Sequence, residues 1–399
     1  MSWRYLKIED FCSTGSGGTP SRSKPEYYEG GDIPWIKSGD LKDSKIYDAN
    51  EYITAAGLKN SSAKIVEKDS ILIAMYGATV GRLAILGINA ATNQAICNIR
   101  PDTTIADMKY LYYFLKSKFS YFVENAVGGA QPNISQGLIK SLEVPLPSLS
   151  EQKRIADILD KADGIRQKRE QAIKLAGDFL RATFLEMFGD PVSNPKGWKV
   201  KPLKELSVKI ASGSTPKGGS KVYVDKGITF FRSQNVWKND IRLDDVAYID
   251  EKTHNSLKKS SLKHKDILMT KTGRFNTENS SLGRAALFLG EDNCANVNGH
   301  VYLIRLKSGI LHEFIVYILT SNEYREHIRE VCVGGIDKRQ LNKEHIEDFP
   351  IICPPDDLQI EFMRKLNSIQ KIRSNAMTGL KEVIPLFNTL NQKAFSDGF

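Results

Sequence analysis

The sequence predicts an α+β fold: two repeated globular domains separated by two long helices packed on each other as a coiled coil. Three observations carry this reading. At 399 residues the chain exceeds what one ordinary core accommodates. Six short segments recur in the same order, at an offset that drifts only from 195 to 207 residues. Each copy is then followed by a long stretch with the apolar spacing of a helix. The boundaries follow as a first domain at 1–149, a helix at 150–189, a second domain at 190–355 and a second helix at 356–399.

Taken in order, the repeat begins with Ser-Gly-Gly-Thr-Pro at 16–20, which returns as Ser-Gly-Ser-Thr-Pro at 212–216. Ile-Pro-Trp-Ile-Lys-Ser at 33–38 returns as Ile-Thr-Phe-Phe-Arg-Ser at 228–233. Residues 68–73 parallel 265–269, and Gly81-Arg82 matches Gly283-Arg284 after an extra polar stretch in the second copy. Val127-Gly128-Gly129 answers to Val333-Gly334-Gly335, and LEVPLPSLSEQ at 142–152 to FPIICPPDDLQ at 349–359. A period this long describes a duplicated domain and not a solenoid. Short apolar runs bounded by turn residues, such as DSILIAMYG and KDILMTKTG, read as strands. Residues 108–126 and 312–331 each read as one amphipathic helix. Trp35 and Phe230, aligned between the copies, read as core aromatics.

The first long helix begins after Pro145 and Pro147, with Ser148 and Glu151 at capping-box spacing. Its seam is expected at Ile155, Ile158, Ala162, Ile165, Ala172, Ala176 and Phe179, interrupted by Arg169, and Gly189 and Pro191 stop it. The second begins at Pro354-Pro355-Asp356 with Gln359 completing a cap. Its seam is expected at Phe362, Leu366, Ile369, Ile372, Ala376, Leu380, Val383, Phe387, Leu390 and Ala394, with a kink or restart at Pro385. An isolated helix of this length would leave its stripe in water, so the two are expected to pack on each other.

The net charge is +9 and the pI about 9.1. The stretch 150–189 carries 8 Lys/Arg against 7 Asp/Glu, and 356–399 carries 6 against 5, so +7 lies outside the helices. A polyanionic partner for the globular domains fits that placement. Five single cysteines, with no paired spacing, fit neither a zinc site nor a disulfide framework and suit a reducing cytoplasm. No apolar run approaches the roughly 20 residues of a membrane span, and the N-terminus has no secretory pattern.

Catalytic signatures are incomplete. In the stretch from Gly213 to Ser220 the lysine precedes the second glycine, so phosphate-loop spacing fails. The Gly15–Gly18 loop opens no helix, and Pro354-Pro355 lacks the flanking residues of an amino-methyltransferase motif. Asp102, Asp107 and Lys109 only faintly echo a nuclease site, and the six histidines, all in the second copy, have no ligand spacing. No metal site is expected.

Several segments together carry a resemblance to a known family. They are GGAQPNIS at 128–135, LEVPLPSLSEQKRIADIL at 142–159, WIKSGDL at 35–41 and MYGATVGR at 75–82. With the domain–helix–domain–helix layout, the chain resembles the specificity subunits of type I restriction–modification enzymes over nearly its whole length. In the second copy the match is looser: GGIDKRQLN and PPDDLQIEFM replace the first-copy motifs. The resemblance implies two target-recognition domains reading the halves of an interrupted double-stranded DNA site. It also implies that the coiled coil is antiparallel, separates the domains and holds two methyltransferase subunits, with translocase-nuclease subunits in the full enzyme. S-adenosylmethionine, ATP and magnesium would belong to those partners, and this chain would carry no cofactor and no catalytic residue.

Base reading needs donors and acceptors on loops that reach a groove. The first-copy candidates are Lys37, Ser38, Asp40, Tyr76, Thr79, Asn93, Gln94, Gln131 and Asn133. The second-copy candidates are Arg232, Gln234, Asn235, Lys271, Arg274, Asn276, Asn298, His300, Lys338 and Arg339. Two other readings stay open: a specificity subunit for a fused restriction–methylation polypeptide, and a coiled-coil protein scaffold without sequence-selective DNA binding.

Overall fold

The computed structural model describes residues 3–129, 131–275, 280–335 and 337–396. The chain divides into two compact units, one holding residues up to Ala172 and those from Ala376 onward, the other Ile173–Asn375. Each unit thus joins one globular part to a portion of both long helices.

In the first unit a five-stranded sheet runs in the order Cys12–Ser16, Ile96–Pro101, Ile71–Ala74, Leu83–Leu86, Ser44–Ile46. Its pairs are antiparallel except the last, which is parallel. All four residues of Ile71–Ala74 are buried. Ile71 and Ile73 join the core under helix Met108–Ser117, whereas Leu72 and Ala74 join a second core with Ile36, Leu86 and Ile96. Both faces of the strand are covered, which is why it reads as a continuous apolar run. A smaller sheet runs Tyr52–Ile53, Ile33–Ile36, Ala90–Thr92, Ile65–Val66, its two middle strands parallel. Arg4–Lys7 pairs antiparallel with Glu143–Leu146.

The second unit repeats this plan. One sheet runs Ser207–Ser212, Val301–Leu306, Ile267–Thr270, Ala285–Leu287, all antiparallel. The smaller sheet again has a parallel middle pair, Ile228–Phe231 with Ala295–Val297. Val200–Pro202 pairs with Pro350–Ile352, as Arg4–Lys7 does with Glu143–Leu146. Trp35 and Phe230 are both buried in their cores.

Two helix expectations need correction. The stretch 108–126 is two helices, Met108–Ser117 and Phe119–Glu124, and 312–331 is His312–Thr320 followed by Asn322–Val331. In the latter, extended Ser321 breaks the run, and its hydroxyl accepts from the Tyr324 N–H at 3.2 Å to cap the next helix. A one-residue break hardly disturbs an apolar period, so the spacing conceals it.

The long helices are Leu149–Phe188 and Asp356–Ser396. The Ser148 hydroxyl accepts from the Glu151 N–H at 3.3 Å. Gly189, at φ +77°, donates its N–H to Leu185 O at 2.8 Å and ends the first helix. The second continues through Pro385 without restarting. Pro385 lies on the exposed face, where the carbonyl freed by its ring can turn to water.

In the first unit the two helix portions run antiparallel: Ile155 shares a core with Ala394 and Phe395, while Arg169 lies against Gly379. A Cβ at position 379 would collide with the Arg169 guanidinium, so the glycine makes room for the residue that interrupts the seam. In the second unit Phe362 packs on Phe184 and Phe188, with ring centroids 5.3 and 5.6 Å apart.

The expected seam is also corrected. Ile155, Phe362, Leu366, Ile369 and Phe387 are buried, and Ile158, Ala162, Ala176 and Leu380 are half-buried. Ile165, Phe179 and Ile372, however, are 51, 63 and 61% exposed. The buried line of the first helix passes instead through Leu159 and Asp163, then through Thr183, Phe184 and Phe188. Asp163 is 2% exposed, held by Lys116, Arg166 and Gln167. A stripe that crosses a buried carboxylate is invisible to an apolar count, and the count slid to Ile165. No helix among the described residues is long and apolar enough to cross a membrane.

Candidate nucleic-acid interface

The parallel middle strands of each smaller sheet end side by side. In the first unit the Asn93 N–H donates to Ile36 O at 2.9 Å, setting Lys37 and Ser38 beside Asn93 and Gln94. Gln94 in turn accepts from the Thr19 hydroxyl. The strand Ile71–Ala74 runs out into Tyr76 and Thr79, where Tyr76 and Val127 both bridge to Asn133. Met75 ties these segments together, donating to Ala95 O at 2.8 Å and accepting from the Ile134 N–H at 2.9 Å. Segments 37–40, 76–79, 93–94, 127–129 and 131–133 therefore form one rim, Gln131 and Asn133 included.

The second unit builds the same rim with the same bonds. Asn298 N–H donates to Phe231 O, Lys271 N–H to His300 O, and Leu341 N–H to Lys271 O, each at 2.9 Å. Arg232 and Gln234 are thus set beside Asn298 and His300. Where the first unit has isolated bridges, the second has a ribbon: Thr272–Gly273 pairs with Lys338–Gln340, which pairs with Val333–Gly335. Lys338 and Arg339 lie on it, and exposed Arg274 follows it. Asn276 lies outside the described residues.

Both rims hold a cation in the same way. The Lys37 N–H is capped by Asp40 at 2.8 Å, and its ammonium meets Glu51, which also takes Arg22 at 2.6 Å. The Lys37 hydrogen bond, against some opposing burial and helped by Arg22, keeps the Glu51 carboxyl below its ordinary range. The Arg232 N–H is capped by Asn235 at 2.9 Å, and its guanidinium reaches Asp245 at 2.9 Å. Gln234 donates to the same carboxylate at 2.9 Å, and these two hold Asp245 low.

This geometry corrects two candidates. Asp40 accepts from Asn50 at 2.6 Å besides capping Lys37. Asn235 is 1% exposed and donates to the Arg242 and Asp245 carbonyls at 3.1 and 2.9 Å. Both side chains shape the loop, and that of Asn235, buried with its donors and acceptor committed, is not available to a base. Asp102 and Asp107 are likewise occupied, by Thr104 at 2.7 Å and by the Tyr110 N–H at 3.0 Å.

Among the described residues, the buried side-chain atoms without a hydrogen-bond partner are Thr92 Oγ1, Asn93 Oδ1, Arg232 Nε and Arg339 Nε. Asn93, Arg232 and Arg339 lie in the two rims, and Thr92 directly precedes Asn93. Such an atom costs about 1–3 kcal/mol when it is left without a partner.

Sequence reasoning missed one feature here. Trp237 lies between the guanidiniums of Arg242, 3.5 Å from its ring centroid, and Arg284, 3.8 Å away. It borders a cleft of about 400 Å³ with Gln234, Arg274, Ser280 and Ser281. The signal was the Gly283-Arg284 repeat, but Trp237 falls where the second copy is one residue longer than the first.

Comparison with known proteins places these rims in context. A family model described as the type I restriction modification DNA specificity domain matches residues 2–175 and again 195–386. The MjaIX type I restriction enzyme specificity subunit of Methanocaldococcus jannaschii is 28% identical over 407 residues, covering 96% of this chain and 90% of that protein. The EcoR124I/EcoR124II specificity subunit of Escherichia coli is 33% identical over 152 residues, 37% of each chain. The crystal structure of a type I system S subunit from M. genitalium shares the fold, with a TM-score of 0.59, 17% identity and coverage of 100% of this chain and 97% of that one.

Proposed function

Because the chain belongs to the family of type I restriction–modification DNA specificity proteins, we propose that it reads a bipartite, interrupted DNA target, one half per unit, for the enzyme complex it helps assemble. The observation that carries this reading is the twice-built rim. The same backbone bonds fix the same loops in both units, yet the side chains at matched positions differ: Lys37, Tyr76 and Gln131 in one, Arg232, Thr272 and Lys338 in the other. One framework with two sets of donors and acceptors is what two unlike half-sites require.

The partners are two methyltransferase subunits and translocase-nuclease subunits, which bring S-adenosylmethionine, ATP and magnesium and work in the cytoplasm. Exposed apolar residues on the long helices support docking there: Ile165 and Leu386 in the first unit, Phe179 and Ile372 in the second. The chain itself performs no chemistry. Mapping methylated adenines in a cell carrying this gene with its methyltransferase partner tests the reading. A motif of two dissimilar halves around an unread spacer is expected; one contiguous motif overturns it. The purified chain with DNA, S-adenosylmethionine, ATP and magnesium should give neither methylation nor cleavage.

A further inference from the structure

We propose that Glu51 is a specificity-determining residue of the first unit, an assignment that rests on the DNA-binding reading above. Its carboxylate neutralises Lys37, so that this cation answers to a base edge and not to every phosphate. The Lys37 ammonium and the Arg22 guanidinium both meet the Glu51 carboxylate, Arg22 at 2.6 Å. The pair is reachable from outside, the Lys37 and Glu51 side chains being 34 and 31% exposed.

Glu51 is not needed to close the turn it faces. Asp40 caps that turn at the Lys37 N–H, and the Glu51 backbone is held separately, its carbonyl accepting from the Trp35 N–H at 2.9 Å. Nor does Arg22 depend on Glu51 alone. Its guanidinium lies over the Tyr28 and Trp35 rings, 4.4 and 5.1 Å from their centroids. What the carboxylate controls is the charge that Lys37 shows to a ligand.

The second unit arrives at the same pairing with different residues. Lys37 and Arg232 each follow a middle strand of the smaller sheet, Ile33–Ile36 and Ile228–Phe231. Their acids, Glu51 and Asp245, come from the chain entering the antiparallel neighbour, Tyr52–Ile53 and Ala247–Ile249. Lysine with glutamate in one unit and arginine with aspartate in the other keep the charge pair while every side chain changes.

An unpaired ammonium on a DNA-facing rim is attracted to any phosphate, whatever the sequence. A carboxylate beside it repels that phosphate and cancels much of the attraction. A base edge is neutral and loses little, and an ammonium has three N–H groups, of which Glu51 need take only one. The pairing thus weakens binding to wrong sequences more than to the right one, which is how a repulsive element raises specificity.

The test uses the full chain in complex with its methyltransferase partner and two labelled duplexes, one with the mapped target and one scrambled. Affinity is followed by fluorescence anisotropy from about 50 to about 200 mM salt. Glu51→Gln should tighten the scrambled duplex by about 3- to 10-fold at the lower salt and steepen its slope of log affinity against log salt by about 1. The target duplex should change by less than about 2-fold, so that their ratio falls. Glu51→Asp keeps the charge and should keep the parent's values. Lys37→Gln should weaken the target by about 10-fold or more and the scrambled duplex little, and adding Glu51→Gln to it should no longer tighten the scrambled duplex. Asp32→Asn loses the same charge at the far end of the strand and should move neither duplex. A scrambled duplex that Glu51→Gln does not tighten, or tightens equally with the target, overturns the proposal. So does tightening by Glu51→Asp, or tightening that persists without Lys37. Weakening of both duplexes by one factor would make Glu51 part of the loop's framework, and weakening of the target alone would make it a reader; either also overturns the proposal. If the parent complex does not prefer the target, the reading beneath the proposal fails instead.

Discussion

Removing the Asp163 carboxylate should unfold the first unit's helical end well before any other single charge does. Its Oδ1 accepts from Arg166 at 2.7 Å and its Oδ2 from Gln167 at 2.8 Å, while Lys116 lies 3.3 Å from both. The side chain is 3% exposed, and those of Lys116 and Arg166 are 15 and 17%. Asp163→Ala therefore strands the largely buried Lys116 and leaves Arg166 only the Glu170 carboxylate, 2.8 Å away, at a cost of about 3–5 kcal/mol. For a unit of this size that is roughly 6–20 °C in the unfolding temperature. Asp163→Asn keeps the shape and part of the bonding and should cost about 1–3 kcal/mol. Glu361→Ala, at the exposed Lys365 pair, is the control and should cost under about 1 kcal/mol. Differential scanning calorimetry of the full chain reads all three, with the first unit's transition moving. The pH dependence has a definite sign. Burial raises the Asp163 pKa, but Arg166 and Lys116 more than offset this, so the folded value lies below the ordinary one. Its stabilisation is present above the unfolded value, about 3.9, and is lost as pH falls through the folded value, so parent and Asp163→Ala should converge in acid. A cost for Asp163→Ala no larger than that of Glu361→Ala would refute this account.

Phe362→Ala should destabilise the second unit by about 3–5 kcal/mol, since the ring is fully buried against Phe184, Phe188 and Tyr317; urea unfolding reads this, and a loss under about 1 kcal/mol would show that the helix portion is not part of that core. Arg274→Ala should relax one half of the methylation motif by about 1–3 kcal/mol, and a change in both halves would contradict separate reading. Lys338→Ala, on the exposed ribbon, should weaken target and scrambled duplexes equally, so a change in their ratio counts against a phosphate role.

Much of the framework is legible in the sequence because a repeat reports on structure without requiring any propensity to be right. The strands at 33–36 and 228–231, and the bonds from Asn93 and Asn298 that close the rims, fall at matched positions of the repeat. What stayed hidden has three physical causes. Asp163 carries the helix stripe through a polar residue, so the apolar period misplaced Ile165 and Phe179. Asp40 and Asn235 look like readers because a loop polar residue has the same composition whether it caps a turn or faces a ligand. Trp237 sits in a one-residue insertion, which is where comparing two copies has nothing to compare.

The strand pairs Arg4–Lys7 with Glu143–Leu146, and Val200–Pro202 with Pro350–Ile352, have a consequence for inheritance. In each globular part the chain leaves beside the place where it entered, on neighbouring strands about 4.8 Å apart. Everything between is a closed excursion. A gene exchange that replaces residues 8–142, or 203–349, has only two adjacent junctions to satisfy, and the two long helices keep their own sequence. New DNA preferences can therefore arrive whole from a relative, and need not be rebuilt one substitution at a time through intermediates that read nothing.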